Sequence, residues 1–300
     1  MGNIKADGFK GEKAIVTPNV IRSMQTENPI TRQLYVTHIG YYPNARYHYR
    51  ERPEGAPENI LIFCDKGTGW VEYKDEKISL KENEVFILPA NQKHVYGADI
   101  GNSWSIYWLH FQGENTAMFD SISGKVLRIP ETANNRKSDR MQLFEEIYKN
   151  FEMGYSHENM EYITFCLMYL LASLKYMPQY QEPNRLGHNN VIQNCIHYMR
   201  DNLENKIALK DIADAVGYST THLNALFVQA TSFSPIEYYN QLKIQRVCYY
   251  LQFSDLKIKE IAFKLGFYDP FHLSKAFFKE MEISPREYRS RYGRMHANSK

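Results

Sequence analysis

The stretch IADAVGYSTTHLNALFVQATSFSPIEYY, residues 212–239, is followed in the same chain by IAFKLGFYDPFHLSKAFFKEMEISPREYR, residues 261–289. The second copies the first. Ala262 and Gly266 stand 49 residues after Ala213 and Gly217, whereas Leu273, Phe277, Ser284, Pro285 and Tyr288 stand 50 after Leu223, Phe227, Ser234, Pro235 and Tyr238. One residue has entered the second copy, within FYDPFH.

Each copy has a physical reading. A small residue (Ala213, Ala262) lets two helices approach closely. Four residues on, Gly217 and Gly266 supply the positive φ that a short turn requires. Leu223 and Leu226 then bury a second helix against the first, which is the helix-turn-helix pattern whose second helix enters the major groove of DNA. Ser234 and Ser284 suit an N-cap, and Pro235 and Pro285 suit the first turn of a further helix. The helix joining the copies runs from about Pro235 to Leu251 and is roughly 25 Å long. With the bodies of the two units added, it holds two recognition helices about one DNA turn apart, roughly 34 Å.

Outward from this repeat the chain changes character. Residues before about Gly113 read as short strands: RQLYVTHIGYY, NILIFC, GWVEYK, KISL, VFILP and WSIYWLHF, separated by the turn signals DKGTG, KDEK, KENE, PANQ and DIGNS. Such spacing predicts an antiparallel barrel or sandwich, and a closed barrel has room for one small ligand. Between about Ser138 and Tyr176 the pattern is helical. Met141, Phe144, Ile147 and Tyr148 share one face, and the run from Tyr162 to Leu174 is apolar nearly all round, so it is buried or lies against a partner. MPQYQEPNRLGHNN, with two Pro and a Gly, reads as a linker. The fold class expected is α+β in two domains. Residues 1–177 form an antiparallel β-barrel (about 30–113) with a helical pair (about 138–176), 178–190 the linker, and 191–292 an all-α double helix-turn-helix.

Composition narrows the function. From Asn190 onward there are 15 Lys and Arg against 11 Asp and Glu, +4, which leaves −2 for the rest of a chain of net charge +2. This permits an anionic partner for the C-terminal part. Cys64, Cys166, Cys195 and Cys248 lie far apart, with no CxxC, so neither a disulfide framework nor a zinc cluster is indicated and a cytoplasmic location is expected. The N-terminus lacks the apolar core of a signal peptide, and no apolar run is long enough to span a bilayer. No nucleophile–base set, phosphate loop or cofactor motif is visible, so no enzyme activity and no cofactor are expected. His94 stands alone and YHYRE holds only His48, which leaves no metal-binding His-x-His pair.

The residues IADAVGYS, HLNALF, SPIEYY, IAFKLGFYDP, LSKAFFKE and SPREYR resemble the DNA-binding domain of the AraC/XylS family of bacterial transcription regulators. RPEG, GTGW, ILPANQKHVYG and WSIYWLHFQG resemble the cupin-like sensor barrel often joined to it. There are departures. Ser232 and Glu282 stand where the family has Gly before the Ser-Pro step, Val228 and Gln229 replace a basic residue after Phe227, and Lys243 stands where Arg is favoured.

The resemblance implies DNA readers near the start of each recognition helix. In the first these are Thr220, Thr221, Asn224 and Ala225, since Asn pairs with adenine and Thr or Ala meets a thymine methyl. In the second they are Phe271, His272 and Lys275, with Lys279 beside them; Phe271 either contacts DNA or packs. His222 is read as a packing residue. Lys243, Arg246 and Arg289 either contact phosphates or lie on a solvated face. In the barrel, Arg52, Tyr96 and Trp108 match pocket positions of the sugar-binding member of the family, with His94 nearby, and Ile106 replaces a pocket histidine. Tyr96 and Trp108 are otherwise core aromatics. The implied partners are double-stranded DNA, a carbohydrate-like effector, RNA polymerase and a second copy of the chain through the Tyr162–Leu174 helix. The expected function is an effector-controlled regulator, in the main an activator. The alternatives are an architectural DNA-binding factor with a barrel filled by its own side chains, and a cupin-type enzyme on a DNA anchor.

Overall fold

The structure, a computed structural model, describes residues 4–130, 136–180 and 188–293. The chain divides into two compact units, residues 1–182 and 183–300.

The first unit is built on β1 (Lys13–Val16), α1 (Asn19–Glu27), β2 (Tyr35–Tyr42), β3 (Tyr49–Arg52), β4 (Asn59–Lys66), β5 (Thr68–Tyr73), β6 (Glu76–Lys81), β7 (Glu84–Leu88), β8 (His94–Ala98), β9 (Ser105–Gln112) and β10 (Val126–Arg128), followed by helices α2 (Lys137–Glu152), α3 (His157–Lys175) and the short α4 (Met177–Tyr180). The strands pair antiparallel in two sheets, ordered β1-β2-β9-β4-β7-β10 and β3-β8-β5-β6. The expected barrel is therefore two facing sheets and not one closed hydrogen-bonded ring. It also reaches beyond residues 30–113, since β1 and β10 complete the larger sheet.

β4 shows why its sequence is apolar throughout. Ile60, Ile62 and Cys64 face the inter-sheet core, while Leu61 and Phe63 face the core shared with α2 and α3. Side chains alternate across a strand, so a strand covered on both faces loses its polar alternation. The same burial settles the apolar α3. Ile163, Leu167, Leu170 and Leu174 pack against the six-stranded sheet, and Tyr162, Phe165, Tyr169 and Tyr176 remain exposed as a stripe. Lys74 and Asp75, both at positive φ, make the two-residue β5–β6 turn.

The second unit contains α5 (His188–Asp201), α6 (Leu209–Val216), α7 (Thr220–Thr231), α8 (Pro235–Phe253), α9 (Ile258–Lys264), α10 (Pro270–Met281) and α11 (Pro285–Tyr292). Residues 181–187 of the expected linker lie outside the described residues; Met177–Tyr180 and residues 188–190 at its two ends are helical. Two cores flank α8. One gathers Cys195, Met199, Ile212, Leu223, Phe227 and Tyr239; the other gathers Val247, Leu251, Ile261, Leu273, Phe277 and Tyr288. The repeat is thus structural as well as sequential: residues 221–230 and 271–280 have the same order of buried and exposed positions. Phe227 is the deeper anchor, and Leu226 is only half-buried.

The local signals are realised. Gly217 caps α6 at φ 73°, and Gly266 turns the chain after α9 at φ 65°. Ser234 accepts from the Glu237 amide and Glu237 returns the bond to Ser234, a capping box, while Ser284 accepts from the Glu287 amide. Ser232 and Glu282 take left-handed φ of 64° and 58°, the conformation their missing glycines would have adopted without strain.

Candidate functional site

The candidate nucleic-acid interface is the outer face of α7 and α10. Ser219 caps α7 by accepting from the His222 amide (3.3 Å), and Asp269 caps α10 by accepting from the His272 amide (2.7 Å). Below the caps, Leu223 and Phe227, and Leu273 and Phe277, are fully buried, which turns the opposite faces outward. Thr221 and Ala225 are exposed on α7, with Thr220 and Asn224 half-buried beside them. On α10, His272, Lys275 and Lys279 are exposed, and Phe271 is 85% exposed. Phe271 therefore does not pack.

His222 corrects the expectation that it packs: it is exposed, with its ring 5.2 Å from Tyr218. Its equivalent in the second copy, His272, lies 5.7 Å from Phe267. The offset of the repeat makes the two histidines one position, and that signal was available in the sequence. Tyr268, 75% exposed in the turn that carries the extra residue, was also missed; the Lys206 ammonium lies 5.2 Å over its ring.

Three cationic candidates separate. Arg246 is exposed, its guanidinium against Tyr249 and Tyr250. Arg289 is half-buried and donates to the Leu256 carbonyl (2.6 Å). Lys243 is 5% exposed. Its ammonium donates to the Asn205 carbonyl (2.7 Å) and sits over the rings of Tyr239 and Phe267, and burial lowers its pKa to about 8. It holds the 202–206 loop onto α8, and no face of it is left for a phosphate. The same loop is held to α8 by Tyr239 as well, whose hydroxyl donates to the Asn202 and Asn205 carbonyls, and it meets the second helix-turn-helix through a Lys264–Glu204 ion pair (3.1 Å). The two readers are braced by this loop as well as by α8.

The second candidate site is a cavity of about 340 Å³ between the two sheets. Strand register makes it. His38, Gly40 and Tyr42 on β2 face His110, Trp108 and Ile106 on β9, and Ile60 and Ile62 on β4 flank them. From the smaller sheet come Arg50 and Arg52 on β3 and Tyr96 on β8, with Arg50 opposite Tyr96. Gly40 is required: a Cβ there would meet the Trp108 ring at 2.5 Å and the Lys13 carbonyl at 2.5 Å. The structure brings Arg52, Tyr96 and Trp108 together on the cavity wall, with Ile106 among them. His94 does not line it. It donates to the Gln92 carbonyl (2.8 Å), stacks on Tyr96 and accepts from Arg52 (3.4 Å), so it stands behind two lining residues.

Histidines gather here. His48 accepts from the buried Trp104 indole (3.2 Å), and burial lowers it to about 3. Burial likewise lowers His38 to about 4 and depresses His94 and His110. His38, Glu58 and His110 bring one potential metal-ligand atom each within 4.8 Å of one another. No sequence spacing announces this trio, which comes from three separate strand regions. It does not fit a dication, because the Arg22 guanidinium already lies 3.6 Å from Glu58 and 3.3 Å from His38. No helix among the described residues is long and apolar enough to cross a membrane.

A cavity-bearing antiparallel domain and a doubled helix-turn-helix in one chain define a ligand-binding transcription regulator, not an enzyme. Residues 36–159 match the model of the AraC-like ligand binding domain, and residues 212–291 match that of a helix-turn-helix domain. The chain belongs to the AraC family. It is 27% identical over 274 residues to the MmsAB operon regulatory protein of Pseudomonas aeruginosa, covering 88% of this chain and 85% of that one. It is 24% identical over 259 residues to the lactose operon transcription activator of Staphylococcus xylosus (83% and 88% covered), and 24% over 240 residues to the raffinose operon regulatory protein RafR of Pediococcus pentosaceus (78% and 85%).

Proposed function

We propose that the protein activates transcription when a carbohydrate or carbohydrate metabolite occupies the inter-sheet cavity. The observation that carries this is the pairing of a walled cavity with two equivalent reader helices. The regulators of lactose and raffinose operons among its relatives support a carbohydrate effector. Occupancy acts only through a difference in affinity between two states of the protein.

In this reading Thr220, Thr221, Asn224 and Ala225, together with His222, read one major-groove segment. Phe271, His272 and Lys275 read the next, with Phe271 against thymine methyls. Arg246 and Lys279 contact phosphates, and RNA polymerase is the activation partner. The exposed aromatic stripe of α3, Tyr162, Phe165, Tyr169 and Tyr176, is the surface for a second copy, since an apolar stripe at helical spacing is the seam two helices use.

The test is DNA affinity of the full chain across a carbohydrate panel. A ligand that shifts affinity, and whose effect Trp108→Ala abolishes, is the expected result. DNA affinity indifferent to every ligand would remove the sensor from the account.

A further inference from the structure

The geometry points to an effector that carries an acid group, seated on Arg52. This rests on the reading that the inter-sheet cavity is the effector site, and it specifies the ligand's charge.

The charged groups facing the cavity can be taken in turn. Arg50 pairs with Asp7 (3.8 Å). Arg22, beside the cavity wall, pairs with Glu58 (3.6 Å). Glu12 accepts the amides of Gly8 and Phe9, both at 2.8 Å, which commits it to the N-terminal turn. Arg52 makes no ion pair among the described residues. Its polar partners are the Tyr96 hydroxyl (3.1 Å) and His94 (3.4 Å), and its guanidinium also lies 5.9 Å from the centre of the Tyr96 ring. The imidazoles offer no negative charge, and burial keeps them neutral near pH 7. Among the described residues lining the cavity, Arg52 is thus a cation held in no ion pair.

Arg52 is half-buried at the cavity wall, where a ligand anion completes the ion pair that no carboxylate among the described residues makes. A carboxylate or phosphate ester takes two parallel bonds from the Arg52 fork. The ligand's apolar face lies among Ile60, Ile62 and Ile106, which line the same cavity. A cavity of about 340 Å³ is near the lower end for small-molecule sites, roughly 300 Å³, which suits one sugar-sized molecule. The class is a small polyhydroxy acid: a sugar acid or a sugar phosphate.

The experiment is calorimetric titration and thermal melting of the full chain with a matched series: glucose and galactose, gluconate, glucuronate and galacturonate, and glucose 6-phosphate. One or more acids should bind at least about tenfold more tightly than the neutral counterpart, the size of a charge-assisted contact. The carboxylate and phosphate arms identify which acid group is used. Arg52→Gln should abolish that preference, Arg52→Lys should keep part of it, and ligand-free Arg52→Gln should melt no lower than the parent. A neutral sugar that binds as tightly as its acid overturns the proposal and leaves the sensor reading standing. So does an acid whose affinity survives Arg52→Gln. If no member of the series binds, the proposal falls, and the wider carbohydrate panel against DNA affinity decides the sensor reading separately.

Discussion

Glycine substitution at the two left-handed turns separates backbone strain from packing. Ser232 and Glu282 end α7 and α10 at φ 64° and 58°, and both are exposed. A non-glycine residue in this region costs about 1–2 kcal/mol, and glycine returns about 0.5–1 kcal/mol of that as lost chain entropy. Ser232→Gly and Glu282→Gly should therefore each stabilise by about 0.5–1 kcal/mol. The two belong to separate cores, so the double variant should be close to additive. The reverse changes sort by surroundings. Gly217 has φ 73°, and a methyl on its Cα would meet nothing within 4 Å, so Gly217→Ala should cost only the strain, about 1 kcal/mol. At Gly266 the same methyl would lie 2.8 Å from the Glu204 carbonyl, so Gly266→Ala also pushes the bracing loop away and should cost more. Hydrogen exchange of the α7 and α10 amides in the full chain reads each unit locally, with about two- to fivefold slower exchange expected for each stabilised helix. Loss of protection in Glu282→Gly, or equal costs for Gly217→Ala and Gly266→Ala, would mean that neither turn strain nor the Glu204 contact sets these stabilities.

Three further outcomes follow from the same structure. His48 and His38 are neutral when folded and protonate near pH 6.5 when unfolded, so the stability they contribute is present above pH 6.5 and is lost as pH falls toward their folded values of about 3 and 4. For buried His48 this is about 2–3 kcal/mol by pH 4.5; all three Trp lie in the first unit, so melting followed by Trp fluorescence should show the loss, and His48→Gln should flatten it. Gly40→Ala should displace Trp108, cost about 1–3 kcal/mol and change the Trp emission, with unchanged emission counting against the assigned cavity wall. Lys275→Ala should lower the salt slope of DNA binding by about 1, and buried Lys243→Met should leave it unchanged; a reduced slope for Lys243→Met would mean that its ammonium reaches DNA.

Legibility in the sequence follows from which forces act locally. Turns and caps are local, and Gly217, Gly266, Ser234 and Ser284 do what their residue types dictate. β4 announces itself because both of its faces are apolar. β3, YRER, and β8, HVYGA, do not: they pair with each other at the cavity wall, where Arg50, Arg52 and Tyr96 line the open space in place of an apolar run. β1 and β10 are short edge pieces that gain their place from the neighbour they pair with. Lys243 misleads because it stands between Leu242 of one core and Ile244 of the other, on the buried side of α8, whereas Arg246 on the same helix faces outward. Arg52, Tyr96 and Trp108 were accessible through the family resemblance, whereas His38 and His110 meet only through the β2–β9 register, and Arg22 from α1 and Glu58 from the residue before β4 join them only in the folded chain.

The doubled reader is tested most directly by sequencing the genomic fragments that the purified protein retains at two salt concentrations. α8 spans 19 residues, Pro235–Phe253, about 28 Å of helix, and with the bracing loop it sets a fixed spacing. The expected result is a motif of two half-elements about one helical turn apart, roughly 10 base pairs, which survives the higher salt and whose affinity collapses when half a turn of DNA is inserted between the halves. Retention without a motif and with a steep salt slope, or a motif that tolerates the half-turn insertion, would contradict it.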